Sequence, residues 1–339
     1  MEKYVYSSIK IKKEKLPKLD IISKVRFISR MDSANVLKLI NAVGKKTFSK
    51  GLLRYVAENS TNSPFRYPGG KFYARKLILE LIPIHKVYIE PLCGGASIFF
   101  AKRKAEFNIL NDIDKDLTNC LIQIRDHPNQ LADFLEGTPA TKELHKYFKE
   151  EFKPKNNIER AARWFYLNRT SYSGIMKKEN CFWGYDDKFS MRPENWRRQI
   201  ILSSAKLKKV KILSKDFEKI IDSCPDNSFL FLDPPYFNRD QDKFYSSSFT
   251  KQDHLRLMEA LKRNSKRIKF LLTYDNEPEI RKLYSWATEI LEKEWNYTIY
   301  RTDDQTKEKS KNNVGKRYKG KEIFILNYTP PVRKLINLN

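Results

Sequence analysis

The 339-residue chain contains 66 Lys and Arg against 41 Asp and Glu, which gives a net charge of +25, and 40% of its residues are hydrophobic. This length and apolar content suit two or three folded units and exclude a wholly disordered chain. No apolar run approaches the roughly 18 residues of a membrane span, and the lysine-rich start lacks the apolar core of a secretory signal, so the sequence indicates a cytoplasmic protein without a membrane partner.

The first predicted elements alternate between strand and helix. Residues 1–60 are expected to form a basic, helical N-terminal extension. The helical pattern then gives way to the turn-rich segment PFRYPGGK. KVYIEPL then predicts a strand that runs into Gly94-Gly95 and the helix ASIFFAKRK, and FNILNDI predicts a second strand before the helix DKDLTNCLIQIRD. This order is typical of a parallel α/β sheet.

From His127 to about Arg198 the alternation stops, and aromatic residues stand among Arg and Lys in a helical segment that we interpret as an inserted domain. The strands VKILS, SFLFLDPPY and IKFLLTYD follow, then the helix EPEIRKLYSW and the strands NYTIY and EIFILNY. Thr250 and Asp253 have capping-box spacing at the start of a helix whose apolar positions are Leu255, Met258 and Leu261. Residues 301–321 form a basic loop between the last two strands.

The most informative segment is Asp233-Pro234-Pro235-Tyr236, at the end of a predicted buried strand. Open α/β sheets bind ligands at the carboxyl ends of their strands. The two prolines lack N–H donors, so this segment presents mainly acceptors beside an aromatic ring. Such a face suits a planar ligand with an exocyclic amino group, whose N–H bonds would donate to Asp233 and to the Pro234 carbonyl. The alternative is a proline-rich strand exit in which Asp233 is only a cap.

Two further segments follow the first two strands. Glu90-Pro91-Leu92-Cys93-Gly94-Gly95 could let backbone approach a nucleotide-like ligand, so Glu90, Gly94 and Gly95 are candidate cofactor contacts, although a Gly-Gly turn can also be only a turn. The spacing is not that of a dinucleotide or P-loop motif, which disfavours a pyrophosphate cofactor. Asp112 stands where the ribose of an adenosine would offer its hydroxyl groups, whereas Asp114 is better explained as a helix N-cap.

Six segments, taken in order, resemble the Dam-like family of DNA adenine-N6 methyltransferases, which use S-adenosylmethionine. They are PFRYPGGK, YIEPLCGG, NDID, YLNRTSYSG, SKDF and FLDPPY. The resemblance implies a class I, Rossmann-like methyltransferase sheet with helices on both faces and an inserted, mainly helical target-recognition domain. It divides the chain into the extension, a cofactor-binding half at 61–126, the target-recognition domain at 127–198 and a catalytic half at 199–339.

The resemblance also implies residue roles. Tyr67 and Lys71 would bind the cofactor, with Lys71 near its methionine carboxylate, and Asp112 would hold the ribose. Asp216 and Phe217 would contact the cofactor's adenine. The catalytic set would be Asp233, Pro234, Pro235 and Tyr236, which would grip the target adenine after it has flipped out of double-stranded DNA.

Partners and alternatives complete these expectations. The charge suits DNA phosphates, although a solvated lysine-rich surface would also explain it. The enzyme would act in a bacterial cell or be encoded by a phage, with a cognate restriction endonuclease as a possible partner. We expect no metal, because Cys93, Cys120, Cys181 and Cys224 are scattered.

Alternative functions are methylation of cytosine N4, an RNA adenine or a protein glutamine, or non-catalytic DNA binding. CFWGYDDKFSMRP lies where the family carries its base-reading hairpin, but its recognition sequence stays open.

Overall fold

A computed structural model describes residues 60–71, 74–186, 190–237, 249–296 and 319–330. The predicted N-terminal extension lies outside these ranges apart from its last residue. The same is true of residues 297–300 in the predicted strand NYTIY and of residues 301–318 in the basic loop.

Strands within the described residues form a single seven-stranded sheet. They are β1 (Val87–Glu90), β2 (Phe107–Asn111), β3 (Lys211–Leu213), β4 (Phe229–Leu232), β5 (Lys269–Asp275), β6 (Glu289–Asn296) and β7 (Lys319–Leu326). Their order in space is β3-β2-β1-β4-β5-β7-β6. The pairs among β1 to β5 are parallel, whereas β7 is antiparallel to both of its neighbours. The predicted parallel α/β sheet is confirmed, with one reversed strand near its edge.

Ten α-helices occur in the described residues. They are α1 (Arg75–Leu81), α2 (Ser97–Ala101), α3 (Lys115–Asp126), α4 (Pro128–Leu135), α5 (Lys142–Glu150), α6 (Asn157–Thr170), α7 (Trp196–Leu207), α8 (Phe217–Ser223), α9 (Lys251–Asn264) and α10 (Pro278–Leu283). In these ranges no helix is long and apolar enough to cross a bilayer. Asp114 caps α3 by accepting from the N–H groups of Asp116 and Leu117, and Thr250 and Asp253 form the predicted capping box of α9.

Apolar side chains fill both faces of the sheet. On β4, Phe229 and Phe231 join one apolar cluster, while Leu230 and Leu232 join the other. The first cluster also contains side chains of α2, α3, α6 and α7, and the second contains side chains of α8, α9 and α10. A central strand that is buried on both faces has no polar alternation, which explains the unbroken apolar run FLFL. The predicted helices on both faces are therefore confirmed.

Four helices, α4 to α7, occupy the segment between α3 and β3. Helix α6 packs on α3, and α7 packs on α3 and α4. Phe165 of α6 and Ile200 of α7 belong to the same apolar cluster as the sheet residue Phe229. Because this segment shares its core with the sheet, its assignment as a separate target-recognition domain stays a prediction, as does the division of the chain into four units.

Two local expectations differ from the structure. Strand β6 begins at Glu289, seven residues before the predicted NYTIY. On α9, Leu255 is 41% exposed, whereas His254 and Leu257 are buried. The hydrophobic pattern missed the buried face of α9, because the first residue of that face, His254, is polar. His254 is accommodated in the core through a 2.6 Å hydrogen bond between its Nδ1 and the Tyr274 hydroxyl.

Candidate active site

The predicted site residues collect at one edge of the sheet. From β1 the chain moves outward to β2 and β3, and it then returns to the other side of β1 to form β4 and β5. The strand order reverses between β1 and β4, and ligands of open α/β sheets bind outside the strands at such a point. Glu90 ends β1, Asn111 ends β2, and Asp233 directly follows β4.

Lys71 links the loop before α1 to the segment after β4. Its Nζ lies 2.5 Å from Asp233 Oδ1, 3.0 Å from the Tyr236 hydroxyl and 3.1 Å from the Gly69 carbonyl, and it donates to all three. The Lys71 side chain is 4% exposed, and that of Asp233 is 21% exposed. Two sequence-predicted residues, 162 positions apart, thus form a partly buried ion pair. In this arrangement the Lys71 ammonium group serves the predicted catalytic set, and its predicted cofactor contact stays a prediction.

Two residues that sequence analysis missed complete this group. The Thr273 hydroxyl, on β5, donates to Asp233 Oδ1 at 2.6 Å. The Tyr236 hydroxyl donates to Glu322 Oε1 on β7. Neither strand carries a local signal for these contacts, because Thr273 and Glu322 reach Asp233 and Tyr236 only through strand pairing.

Tyr67 and the glycine turn after β1 fit closely together. Gly94 has a φ of +45°, and a Cβ atom at this position would lie 2.7 Å from Tyr67 Cε1. The Gly94 N–H donates to Asp112 Oδ2 at 2.9 Å. A Cβ on Gly95 would lie 3.0 Å from Tyr67 Cβ. Four of the predicted cofactor residues therefore form one continuous set of contacts.

Burial shifts the ionisation of two carboxyl groups at this edge. It raises the pKa of Asp112 to about 6, although the N–H groups of Asp114 and Gly94 favour the ionised form. It raises the pKa of Glu90 to about 8, opposed by hydrogen bonds from the Tyr88 hydroxyl and the Phe99 N–H. At neutral pH, Glu90 is mainly protonated and can donate as well as accept a hydrogen bond, whereas Asp112 is mainly ionised and can only accept.

Asp216 and Phe217 lie at the start of α8, after β3. Asp216 caps the helix through the Glu218 N–H and accepts from Arg256 at 2.9 Å. The Phe217 ring packs in the second apolar cluster, and the Arg256 guanidinium lies 5.0 Å from its centroid. Asn111 joins this segment to the β1 turn, because its side chain bonds the backbone of Lys215 and the carbonyl of Pro91.

The loop that carries Tyr67 and Lys71 is fastened to α6. Asn168 is fully buried, and its amide group accepts from the Arg66 N–H at 2.9 Å and donates to the Arg66 carbonyl at 2.7 Å. A Cβ on Gly174, whose φ is +74°, would lie 2.3 Å from the same carbonyl. After this contact the chain turns back, and Ser171 pairs with Trp183 in an antiparallel bridge. Trp183 belongs to the predicted base-reading segment, whose role stays a prediction.

The chemistry of this edge is that of hydrogen bonding and charge. Across the described ranges, no group of three or more His, Cys, Asp or Glu side chains is arranged to hold a metal ion. The four cysteines are free thiols and are buried. The arrangement offers a carboxylate paired with an ammonium group beside an aromatic ring.

Comparison with known proteins relates most of the chain to one family. The family model described as D12 class N6 adenine-specific DNA methyltransferase matches residues 67–299. A type II methyltransferase of Lactococcus lactis subsp. cremoris is 28% identical over 242 residues, which span 65% of this chain and 84% of the relative. A type II methyltransferase of Paramecium bursaria Chlorella virus NC1A is 31% identical over 226 residues, spanning 65% and 85%. A DNA adenine methylase of Escherichia coli (strain K12) is 23% identical over 209 residues, spanning 57% and 73%.

Proposed function

The chain belongs to the D12 class N6 adenine-specific DNA methyltransferase family, and we propose that its sheet edge binds S-adenosylmethionine beside a flipped-out adenine of double-stranded DNA. The observation that carries the proposal is the contact of Lys71 with both Asp233 and Tyr236. It joins the two most specific segments of the sequence, PFRYPGGK and FLDPPY, in one partly exposed site.

The residues around the glycine turn fit an adenosine-like cofactor. The acceptor-only Asp112 suits the ribose hydroxyls, and Glu90 lies at the end of the neighbouring strand. Phe217 offers an aromatic ring and Asp216 an acceptor after β3, and Tyr67 packs against the Gly94-Gly95 turn after β1. When bound, S-adenosylmethionine supplies an electrophilic methyl group on a positively charged sulfur.

Asp233 and the Pro234 carbonyl would accept the two N–H bonds of the target amino group. These hydrogen bonds draw the nitrogen lone pair out of conjugation with the ring and make it a better nucleophile. Methyl transfer would form a C–N bond and break the methyl–sulfur bond of S-adenosylmethionine, which would leave as a neutral thioether, and the Asp233 carboxylate would stabilise the positive charge that develops on the nitrogen. One amino proton then leaves to water. Asp233 would orient and stabilise the amino group and would not need to act as a strong base, because the methylated nitrogen loses its proton readily to water.

DNA would reach this edge with its target base outside the stack. Flipping costs a few kcal/mol of unstacking, which contacts between the basic protein surface and phosphates offset. The type II methyltransferases among the relatives support a role in restriction and modification, with a cognate endonuclease that recognises the same DNA sequence. We place the enzyme in the cytoplasm of a bacterial cell or in a phage-infected cell.

The test is transfer of labelled methyl groups from S-adenosylmethionine to unmethylated genomic DNA, followed by nucleoside analysis and mapping. We expect N6-methyladenine at one short sequence motif. Asp233→Ala should abolish transfer in a folded protein, whereas Asp226→Ala should leave the rate unchanged because Asp226 is 74% exposed and lies before β4.

Other outcomes contradict parts of the proposal. Label on cytosine, RNA or protein would refute the target. An active Asp233→Ala variant would refute the site, and a folded protein that transfers no label to any of these substrates would indicate a non-catalytic DNA-binding relative.

A further inference from the structure

Glu322 is a buried carboxylate whose place in the fold brings it to the active-site edge. It is the fourth of the eight residues of β7, lies outside the residues that the family model matches, and is 1% exposed. Because β7 runs antiparallel to β5, its beginning lies beside the carboxyl end of β5, with Glu322 directly opposite Asp275. The four residues of β7 that follow Glu322 are apolar and fully buried, so Glu322 begins the buried part of this strand.

The contacts of Glu322 lead into the predicted catalytic set. Its Oε1 accepts from the Tyr236 hydroxyl, and its Oε2 lies 3.9 Å from Lys71 Nζ. The same Lys71 ammonium group donates to the Tyr236 oxygen and to Asp233. A hydrogen-bonded chain therefore runs from Glu322 through Tyr236 and Lys71 to Asp233.

This chain fixes the Tyr236 hydroxyl from two sides. The phenol oxygen accepts from a cation and its proton is donated to a carboxylate, and hydrogen bonds to charged groups are about twice as strong as neutral ones. Burying a carboxylate costs free energy unless the group is paired. A second buried carboxylate, Asp275 on β5, lies directly opposite Glu322 and adds to this cost. The contacts of Glu322 hold the Tyr236 ring and the Lys71 side chain in a defined orientation.

We propose that Glu322 is a positioning residue for methyl transfer, which holds the Tyr236 ring and, through Lys71, the Asp233 carboxylate in the geometry that receives the target adenine. This inference rests on the proposed function. It adds a residue of the last strand to a site whose other members precede it in the chain. Glu322 acts through its contacts with Tyr236 and Lys71.

The test combines Glu322→Gln, Tyr236→Phe and the double variant, with Glu292→Gln as the matched control. Gln keeps the size of the side chain and loses its charge, and Phe removes the same hydrogen bond from its other end together with the one that the Tyr236 oxygen accepts from Lys71. Glu292 lies on the adjacent strand β6 and is 62% exposed. Single-turnover methyl transfer reports on positioning, while the KM for DNA, the Kd for S-adenosylmethionine and the Tm report on binding and folding.

We expect Glu322→Gln and Tyr236→Phe each to lower the single-turnover rate about tenfold or more, the size expected for a lost charge-assisted hydrogen bond. The KM and Kd should change less than about threefold. The double variant should be no slower than Tyr236→Phe, since this change already removes the hydrogen bond through which Glu322 acts. Glu292→Gln should retain the wild-type rate.

Three outcomes overturn the positioning role. One is a wild-type rate in Glu322→Gln or in Tyr236→Phe. Another is a double variant whose loss is the product of the two single losses, because the residues would then act independently. A third is a rate loss that disappears at a lower temperature, where the variant and the wild-type protein are folded to the same extent. Glu322 would then only stabilise the fold. If the wild-type protein itself forms no N6-methyladenine, the proposed function fails, and that result is distinct from a loss of the Glu322 effect.

Discussion

At the scale of single residues, the site depends on how closely Tyr67 approaches the glycine turn. Gly94 has a left-handed φ and has no room for a side chain beside the tyrosine ring. Its N–H also holds the Asp112 carboxylate. The turn is therefore shaped by its contacts with Tyr67 and Asp112 and not by backbone preference alone.

Gly94→Ala should weaken binding of S-adenosylmethionine about tenfold or more, because the new methyl group must displace Tyr67 or the turn. Gly137→Ala is the control: this glycine has a φ of +70° and no atom within 4 Å of the added Cβ, so only backbone strain of about 1 kcal/mol is expected. Isothermal titration with the cofactor and thermal unfolding separate the two effects. Equal cofactor affinity in both variants would contradict the role of the turn.

Among the secondary-structure elements, α6 anchors the loop that contains Lys71. The Asn168 amide satisfies both backbone groups of Arg66, and Gly174 allows the Arg66 carbonyl to approach closely. Helix α6 and the Ser171–Trp183 bridge are continuous in sequence. A segment predicted to read bases is thus joined to the loop that contacts Asp233.

Asn168→Ala should lower the free energy of unfolding by about 2–3 kcal/mol, because it leaves two partly buried backbone groups of Arg66 without their partners. It should also slow methyl transfer, since Lys71 lies five residues farther along the loop. Asn119→Ala removes an exposed hydrogen bond to the Asn157 carbonyl and a 3.3 Å hydrogen bond from the Gln123 side chain, and it should cost about 1 kcal/mol or less because it leaves no buried backbone group without a partner. Urea denaturation and initial rates measure both variants, and equal stabilities would refute the fastening of the loop.

For the molecule as a whole, the net charge of +25 determines how strongly the protein is attracted to the phosphates of DNA. Residues 1–55 carry fourteen Lys and Arg against four Asp and Glu, a large share of that excess. Phosphate contacts release counterions, so the affinity of a strongly basic protein for a duplex falls steeply with salt.

We expect the affinity for a duplex to fall at least about a thousandfold between 50 and 200 mM salt. Removal of residues 1–55 should weaken DNA binding, make this dependence shallower and leave cofactor affinity nearly unchanged. Fluorescence anisotropy across a salt series, with full-length and truncated protein, gives both slopes. A flat response, or DNA affinity that is the same before and after truncation, would contradict phosphate contacts by this segment.

Much of the fold could be predicted because its signals are local. The positions of β1, β2 and β4, the N-cap of α3 and the capping box of α9 follow from apolar runs and short-range hydrogen bonding. The errors arose where the pattern was ambiguous: β6 is rich in charged residues, and His254 occupies a core position that counting apolar residues does not detect.

The amino-acid sequence is enough to indicate the chemistry of the site, since the groups of DPPY suit an amino substrate and PGGK and the glycine turn resemble motifs of adenine methyltransferases. Which of these groups meet depends on the tertiary structure. The contact of Lys71 with Asp233, the fastening of Arg66 by Asn168 and the contact of Glu322 with Tyr236 join residues 86 to 162 positions apart. Such contacts depend on strand order and on the reversed strand β7, which are set by packing of the whole chain and leave no local pattern in the sequence.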